Sequence, residues 1–224
     1  MSLLLLTFLA YLAALGLYRR VPRPWLNPVL MAGVLVTAYL LFAKVPLSRY
    51  QEATGPLVWL LKPAVVALGY AMHREWRAIR ENAARFLLGV ATGAAVSLIL
   101  TPLTARALGA PEALQRALAF KSVTSGIAVD LAPLYGADPA LTVPLVILTG
   151  ILGAVLGPIL FRLLGVRRPF SRGTALGTAS HGIGTARAAE EGSEALAAAG
   201  LAMALAGLFT GLLAPFLLPL LGLG

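Results

Sequence analysis

The chain reads K-S-V-T-S-G-I-A-V-D over residues 121–130 and G-T-A-S-H-G-I-G-T-A-R over residues 177–187. Both stretches combine glycine with small hydroxyl residues, and both lie between long apolar runs. Irregular backbone at membrane depth is tolerated only where protein or a watery cavity satisfies its polar groups, so such a segment usually lines a site. The two stretches therefore indicate broken-helix or re-entrant segments inside an apolar chain.

The composition of the whole chain is that of a membrane protein. Of its 224 residues, 59% are hydrophobic and 12% are charged, whereas an ordinary soluble domain has about 25% charged residues. The apolar runs are each long enough to cross a bilayer. They predict an all-α integral membrane protein with about six spanning helices, at residues 1–18, 28–43, 56–72, 86–108, 142–164 and 199–221.

The net charge of +9 is concentrated in short connections between apolar runs. An excess of Lys and Arg in such loops orients membrane proteins with those loops in the cytoplasm. We therefore expect a multi-pass protein of the cell (inner) membrane, with both chain ends outside and the lipid bilayer, not nucleic acid, as its partner. Three loops contain eleven of the 18 cations: Arg19, Arg20, Arg23, Arg74, Arg77, Arg80, Arg85, Arg162, Arg167, Arg168 and Arg172.

An internal repeat connects the two interrupted stretches. One alignment of the chain with itself, the span register, lays residues 150–165 on 207–222 and matches Pro158 with Pro215. A slip of one position gives the break register, which lays T-S-G-I (124–127) on S-H-G-I (180–183). Each unit is then an interrupted segment followed by a span. If the segment re-enters, the copy must be inverted, which is the construction of many secondary transporters. The alternative is a chance alignment of two Ala/Gly/Leu-rich stretches.

The repeat also divides the chain. Residues 1–55 hold N-terminal helices that could act as a scaffold or oligomer contact, and residues 56–108 hold two spans joined by a basic loop. Residues 109–165 form the first repeat unit and residues 166–224 form the second.

The small residues at the breaks are the candidate substrate-binding residues. Glycine permits close backbone approach and hydroxyl groups add hydrogen-bond donors, so an unwound tip could hold a carboxylate. The alternative is that the hydroxyls bond back to their own helix and the glycines only allow close packing. The candidates are Ser122, Thr124, Ser125, Gly126, Thr178, Ser180, His181, Gly182 and Thr185.

Four ionisable residues of these segments are candidates for ion coupling or ion pairing: Lys121, Asp130, His181 and Arg187. An ionisable side chain inside a membrane is costly and is a functional candidate by default. His181 could donate to substrate, carry a coupling proton near neutral pH, or be a neutral packing residue. Lys121 and Asp130 could face each other across a hairpin, as a pathway pair or as a structural ion pair.

The usual constellations of enzymes are missing from the sequence. It contains no P-loop, no G-x-S-x-G, no H-E-x-x-H and no Gly-rich nucleotide turn. We therefore expect no catalytic residues and no enzymatic activity. With no cysteine and two histidines, the chain offers no disulfide and no conventional metal site. We expect neither a metal nor a cofactor.

The sequence resembles the LrgB/CidB family of bacterial membrane proteins, which includes the YohK-like proteins and the membrane half of the plant plastidic glycolate/glycerate transporter. Members often have Pro where this chain has Gly126, and Gly where it has Lys62. The matching motifs are K-S-V-T-S-G-I-A (121–128), V-I-L-T-G-I-L-G-A-V-L-G-P (146–158), R-G-T-A-L-G-T-A-S-H-G-I-G-T-A-R-A (172–188) and G-L-A-M-A-L-A-G-L (200–208).

The resemblance implies two functions. The plant relative carries small 2-hydroxy monocarboxylates, which implies a secondary transporter or exporter of glycolate-like or glycerate-like anions. Older descriptions of the family imply an antiholin-like or pore-type modulator of murein hydrolase export and autolysis, beside a small LrgA/CidA-type membrane protein. We expect a homo-oligomer, with a dimer favoured. Polar groups concentrated at two matched breaks favour the small-solute carrier.

Overall fold

The computed structural model describes residues 3–21, 23 and 26–224, and for Leu61 the backbone alone. Helices account for the regular structure in these ranges. They are α1 (Leu3–Arg20), α2 (Pro28–Phe42), α3 (Leu47–Arg74), α4 (Trp76–Ala107), α5 (Glu112–Ala119), α6 (Ser125–Leu131), α7 (Pro139–Leu163), α8 (Pro169–Ala188) and α9 (Ser193–Leu220), with short 3-10 helices at Ala132–Tyr135 and Ala189–Glu191.

Five of these helices, α1, α3, α4, α7 and α9, are long and apolar enough to cross a membrane. The chain is therefore an all-helical membrane protein, as predicted, and among the described residues five of the about six expected spans form helices of membrane-spanning length. The second predicted span forms α2, whose 15 residues cover about 22 Å at 1.5 Å per residue, less than the roughly 30 Å of a bilayer core. The apolar run continues past Phe42, but the chain turns at Lys44, where φ is 51°.

The chain divides into two compact units, one up to Ala67 and one from Leu68 to Gly224. In the first unit, α1 and α2 pack through small residues, Ala10 and Ala14 against Ala32 and Val36. The hydroxyl groups of Thr7 and Tyr50 lie 3.0 Å apart and form a hydrogen bond. Both interrupted segments belong to the second unit.

The long helices of the second unit alternate in direction. One apolar cluster joins the first halves of α4 and α9, and another joins their second halves, so these two helices are parallel. Val146 near the start of α7 lies in the cluster with Leu218 near the end of α9. Phe161 near the end of α7 lies in the cluster with Ala195 near the start of α9. Helix α7 is therefore antiparallel to α4 and α9.

Both interrupted segments are re-entrant because each starts and finishes at one end of this bundle. The first hairpin (residues 109–138) leaves the end of α4, contains α5 and α6 with a break at residues 120–124, and returns to the start of α7. The second hairpin (residues 167–192) leaves the end of α7, breaks within α8 at Ser180 and His181, and returns to the start of α9. The hairpins enter from opposite ends, as an inverted repeat requires.

Repeat-related glycines have a positive φ at the ends of these segments. Gly136 and Gly192, which match in the break register, have φ of 66° and 110° and terminate the 3-10 helices of the two hairpins. Gly165 and Gly222, which match in the span register, have φ of 67° and 73° just after α7 and α9. Positive φ favours glycine because it lacks a Cβ. The repeat is therefore structural and not a coincidence of composition.

Candidate functional site

The tips of the two hairpins, at residues 120–127 and 180–183, contact the middles of two long helices. Ile127 of the first tip contacts Gly207, at the middle of α9, and Ile183 of the second tip contacts Gly150, at the middle of α7. The two isoleucines match in the break register and the two glycines match in the span register. Each tip therefore packs against the long helix of the other repeat unit, near the middle of the bundle.

Two glycines of α7 allow the second tip to pack closely against that helix. A Cβ at Gly150 would lie 2.7 Å from His181 Cε1, and a Cβ at Gly153 would overlap Ser180 Oγ. Only a helix without side chains at these positions accepts the tip. Ser180 is 1% exposed, and its hydroxyl group has no hydrogen-bond partner in the described structure.

His181 is held by both its ring and its backbone. Its Nε2 lies 2.9 Å from the carbonyl oxygen of Val146, and because a carbonyl oxygen only accepts, Nε2 carries the proton. Its own carbonyl oxygen accepts from Thr185 Oγ1 at 2.8 Å. With φ of 42° and ψ of −132°, His181 adopts a backbone that is rare for any residue except glycine and that clusters at functional sites.

A cavity of about 620 Å³ separates α4 from the first half of α8 and reaches the first tip. Its lining contains three cationic side chains, Arg85, Lys121 and Arg168, and no carboxylate. The polar neutral residues that complete the lining are Asn82, Ser97, Thr101, Ser122, Ser171, Thr174 and Thr178. A lining with this positive charge attracts anions.

Lys121 lies at the tip of the first hairpin without a carboxylate partner. Its Nζ donates to Ser122 Oγ at 3.0 Å, and Ser122 Oγ shares a 2.9 Å hydrogen bond with Ser97 Oγ of α4. Among the described residues, no ion pair involves Lys121, so the suggested pairing with Asp130 does not form; Asp130 is exposed. A half-buried ammonium with free donors is stabilised by an anion beside it.

A second cavity of about 510 Å³ lies between α5, α7 and α8, and Lys121 lines it as well. Leucines dominate this lining, with Ser180 and Thr149 as its polar members besides Lys121 and Thr101. Lys121 therefore contributes to both cavities, one on each side of α8.

The structure separates the predicted site residues into three groups. Ser122 and Thr178 line the cationic cavity, whereas Ser180, His181 and Thr185 are buried around the second tip. Thr124 caps α6 by accepting from the Ile127 N–H at 3.4 Å. Ser125 is partly buried at the start of α6, Gly126 is exposed and Gly182 faces Met203.

Arg187 lies away from both cavities. Its guanidinium group forms ion pairs with Glu190 at 3.3 Å and with Glu191 at 3.6 Å, where the second hairpin returns to α9. Its Nη1 lies within ion-pair distance of Glu190 but makes no hydrogen bond of good geometry in the described structure. This position gives Arg187 a role in an ion-pair network.

Sequence reasoning missed the contribution of α4 to the site. Asn82, Ser97 and Thr101 occur singly in an apolar run, and Arg85 was counted with the loop charges. The signal that could have found them is their spacing. Arg85, Gly89, Gly93, Val96, Ser97, Leu100 and Thr101 all line one side of α4, as residues three or four apart do on a helix.

Comparisons with known proteins agree with the resemblance. The chain is 36% identical to YwbG of Bacillus subtilis (strain 168), with 96% of each chain covered, and 36% identical to YxaC of the same organism, with 91% and 88% covered. It is 29% identical to the holin-like protein CidB of Staphylococcus aureus (strain Mu50), with 96% and 94% covered. No solved structure matches this chain significantly. The model of the LrgB-like family matches residues 7–220, so this membrane protein belongs to the LrgB-like family.

Proposed function

We propose that this chain is a secondary transporter or exporter of small organic anions across the cell membrane. The observation that supports this most strongly is the cavity between α4 and α8, in which Arg85, Lys121 and Arg168 meet hydroxyl groups and no carboxylate. The substrate class that we propose, glycolate-like or glycerate-like monocarboxylates, comes from the family resemblance. Hydroxyl groups near Lys121 suit a 2-hydroxy acid because they both donate and accept hydrogen bonds.

The arrangement of the hairpins supports a carrier mechanism. In many secondary transporters, inverted repeats place broken helices at a shared site in the middle of the membrane, and one repeat moves against the other. Here Lys121 and Ser122 of the first hairpin and Thr178 of the second line one cavity. We propose that Lys121 binds the carboxylate and that the hydroxyls of Ser122 and Ser97 orient it. Thr178 Oγ1 donates to the carbonyl oxygen of Thr174 at 2.7 Å, so it can only accept a hydrogen bond, from the 2-hydroxyl group of the substrate.

His181 has a separate part in this proposal. Its ring is 5% exposed and bonded to α7, close to the tip that must move if the site alternates between the two membrane faces. Imidazole changes its charge near neutral pH. We propose that His181 either positions the second tip or carries the proton that couples transport to a pH gradient.

The alternative is an antiholin-like or pore-type modulator of murein hydrolase export and autolysis. The printed name of the Staphylococcus aureus relative, holin-like protein CidB, favours it. In this case the chain would assemble as an oligomer, with a dimer favoured, and with a small LrgA/CidA-type membrane protein. A pore conducts through an assembly and does not depend on a single buried ammonium.

Uptake by proteoliposomes distinguishes the two functions. Purified protein is reconstituted with and without an imposed pH gradient, and the entry of radiolabelled glycolate and glycerate is followed beside the release of an entrapped dye larger than either acid. A carrier gives saturable uptake without dye release. Dye release without saturation supports the pore, and folded protein that moves neither acid contradicts the carrier proposal.

A further inference from the structure

Arg116 joins three parts of the second unit at the mouth of the first hairpin. Its Nη1 donates to the carbonyl oxygens of Tyr135 at 2.7 Å and Leu223 at 2.9 Å, and the guanidinium pairs with Glu112. Arg116 lies on α5, the outgoing leg, and Tyr135 ends the returning leg. Leu223 follows α9, so one side chain ties both legs to the end of that helix.

Arg172 matches Arg116 in the break register. It joins the two legs of the second hairpin to the end of a long helix in the same way. Its Nε donates to the carbonyl oxygen of Val166 at 2.8 Å, and its Nη1 donates to Glu191 Oε2 at 3.2 Å. Val166 follows α7, and Glu191 ends the returning leg. The guanidinium also lies 5.7 Å from the ring centroid of Phe161.

The partners of the two arginines are themselves related by the repeat. Tyr135 matches Glu191 in the break register, and Val166 matches Leu223 in the span register. The first hairpin is thus held to α9 at its mouth by Arg116 and at its tip by an isoleucine, and the second is held to α7 in the same way through Arg172. Both mouths are therefore held by charge-assisted hydrogen bonds of a repeat-related arginine, and at both tips a repeat-related isoleucine packs against a glycine.

We propose that Arg116 and Arg172 are matched positioning residues that close the hairpin mouths at opposite faces of the membrane. Release of Arg172 exposes the site to the basic face, defined as the end that holds residues 74–80 and 162–172. Release of Arg116 exposes it to the opposite face. This role in alternating access rests on the proposed carrier function, but the exposure of the site to each face can be tested without any substrate.

The test uses a single reporter cysteine, which is direct because the natural chain has none. Ala179→Cys places it beside Ser180, where it lines both cavities. The labelling rate by a membrane-impermeant maleimide is measured from each face, in sealed vesicles of known orientation. The reporter is combined with Arg116→Gln, with Arg172→Gln, or with the control Arg77→Gln, whose exposed side chain pairs with Glu81 on its own helix.

We expect Arg116→Gln and Arg172→Gln to raise labelling from opposite faces. Arg172→Gln should raise labelling from the basic face about tenfold and Arg116→Gln should raise it from the opposite face about tenfold, the change that loss of one charge-assisted hydrogen bond produces in an equilibrium. Arg77→Gln should change neither rate. Arg116→Lys and Arg172→Lys, which keep the charge without the planar fork, should give smaller increases at the same faces.

Increases at the same face for both variants would overturn the proposal, as would equal increases at both faces, which indicate general loosening. Unchanged labelling in folded variants would overturn it too. If a Gln variant does not fold, the Lys variant of the same arginine gives the result. Failure of glycolate uptake by wild-type protein would refute the carrier and leave the labelling result standing, so the two failures are distinguishable.

Discussion

At the scale of single residues, the proposed anion site depends most on Lys121. Its ammonium group lies at the first break, bonded to Ser122 and through it to Ser97, and faces the cavity without a carboxylate in the lining. A cation in this position is stabilised most when an anion occupies the cavity. In the proposed carrier, anion binding should therefore depend on the charge of Lys121.

Lys121→Gln should weaken anion binding while the protein folds normally. The variant keeps a polar side chain and removes the charge, and a hydrogen bond to a charged group contributes about 1.5 to 3 kcal/mol, or roughly 10-fold to over 100-fold in affinity. Calorimetric titration of purified protein with glycolate measures the change, with Arg77→Gln as the charge-matched control. Equal affinities for Lys121→Gln and wild type would remove Lys121 from the site.

His181→Ala should impair transport strongly in protein that still inserts and folds. Loss of the buried donor to Val146 costs about 1 to 3 kcal/mol, or roughly 5-fold to over 100-fold. His181→Gln keeps an N–H donor, so it should retain part of the activity; if His181 carries the coupling proton, it should also flatten the pH dependence between about 5 and 8. Transport by His181→Ala at the wild-type rate would exclude the residue from the mechanism.

At the scale of elements, the two hairpins depend on small residues in the long helices opposite them. A Cβ at Gly150 would clash with the hydrogen-bonded ring of His181 and with Ile183, whereas a Cβ at Gly207 would clash with the end of the Ile127 side chain. Both glycines lie mid-helix, where glycine otherwise costs about 0.5 to 1 kcal/mol relative to alanine. These glycines are therefore explained by the close packing of the tips that they allow.

Gly150→Ala should lower the thermal unfolding temperature in detergent, and Gly207→Ala should lower it less because the Cδ1 atom of Ile127 can move aside. Overpacking of this kind costs typically about 1 to 3 kcal/mol, which outweighs the gain in helix propensity. The matched control is Gly69→Ala in α3, where a Cβ would meet nothing within 4 Å, and it should leave the temperature unchanged or raise it. Stabilisation by all three substitutions would mean that the tips do not rest on these glycines.

The breaks and the repeat could be predicted from the sequence, because glycine, serine and threonine recur at matched spacing in two stretches of an otherwise apolar chain. It could not show that Arg172, which resembles any loop arginine, reaches back to Val166. Neither could it show that Ser97 meets Ser122, since a single serine in a span gives no sign of its partner. The length of α2 was missed because hydropathy does not reveal where a helix ends.

At the scale of the whole molecule, the basic loops at residues 74–80 and 162–172 lie at one end of the second unit. Ile79 and Phe170 share an apolar cluster there, and Ser193 Oγ bonds to Glu75 Oε1 at 2.6 Å. The inverted hairpins therefore open to two chemically different faces. By the loop-charge rule, we expect the basic face to be cytoplasmic.

Cysteines introduced as Arg77→Cys and Arg168→Cys should resist an impermeant thiol reagent in intact cells. Both positions lie at the basic face, which we expect to be cytoplasmic because of its loop charges. Labelling after permeabilisation confirms that each cysteine is reactive. Labelling of either position from outside intact cells would reverse the proposed orientation.

The most direct test of the central claim, an anion site that alternates between two faces, is counterflow in proteoliposomes. Vesicles loaded with unlabelled glycolate are placed in labelled glycolate, and entry is compared with that into empty vesicles. A carrier should accelerate entry into the loaded vesicles, and Lys121→Gln should reduce this acceleration strongly at limiting glycolate. Equal entry into loaded and empty vesicles, with wild type and Lys121→Gln alike, would contradict the account.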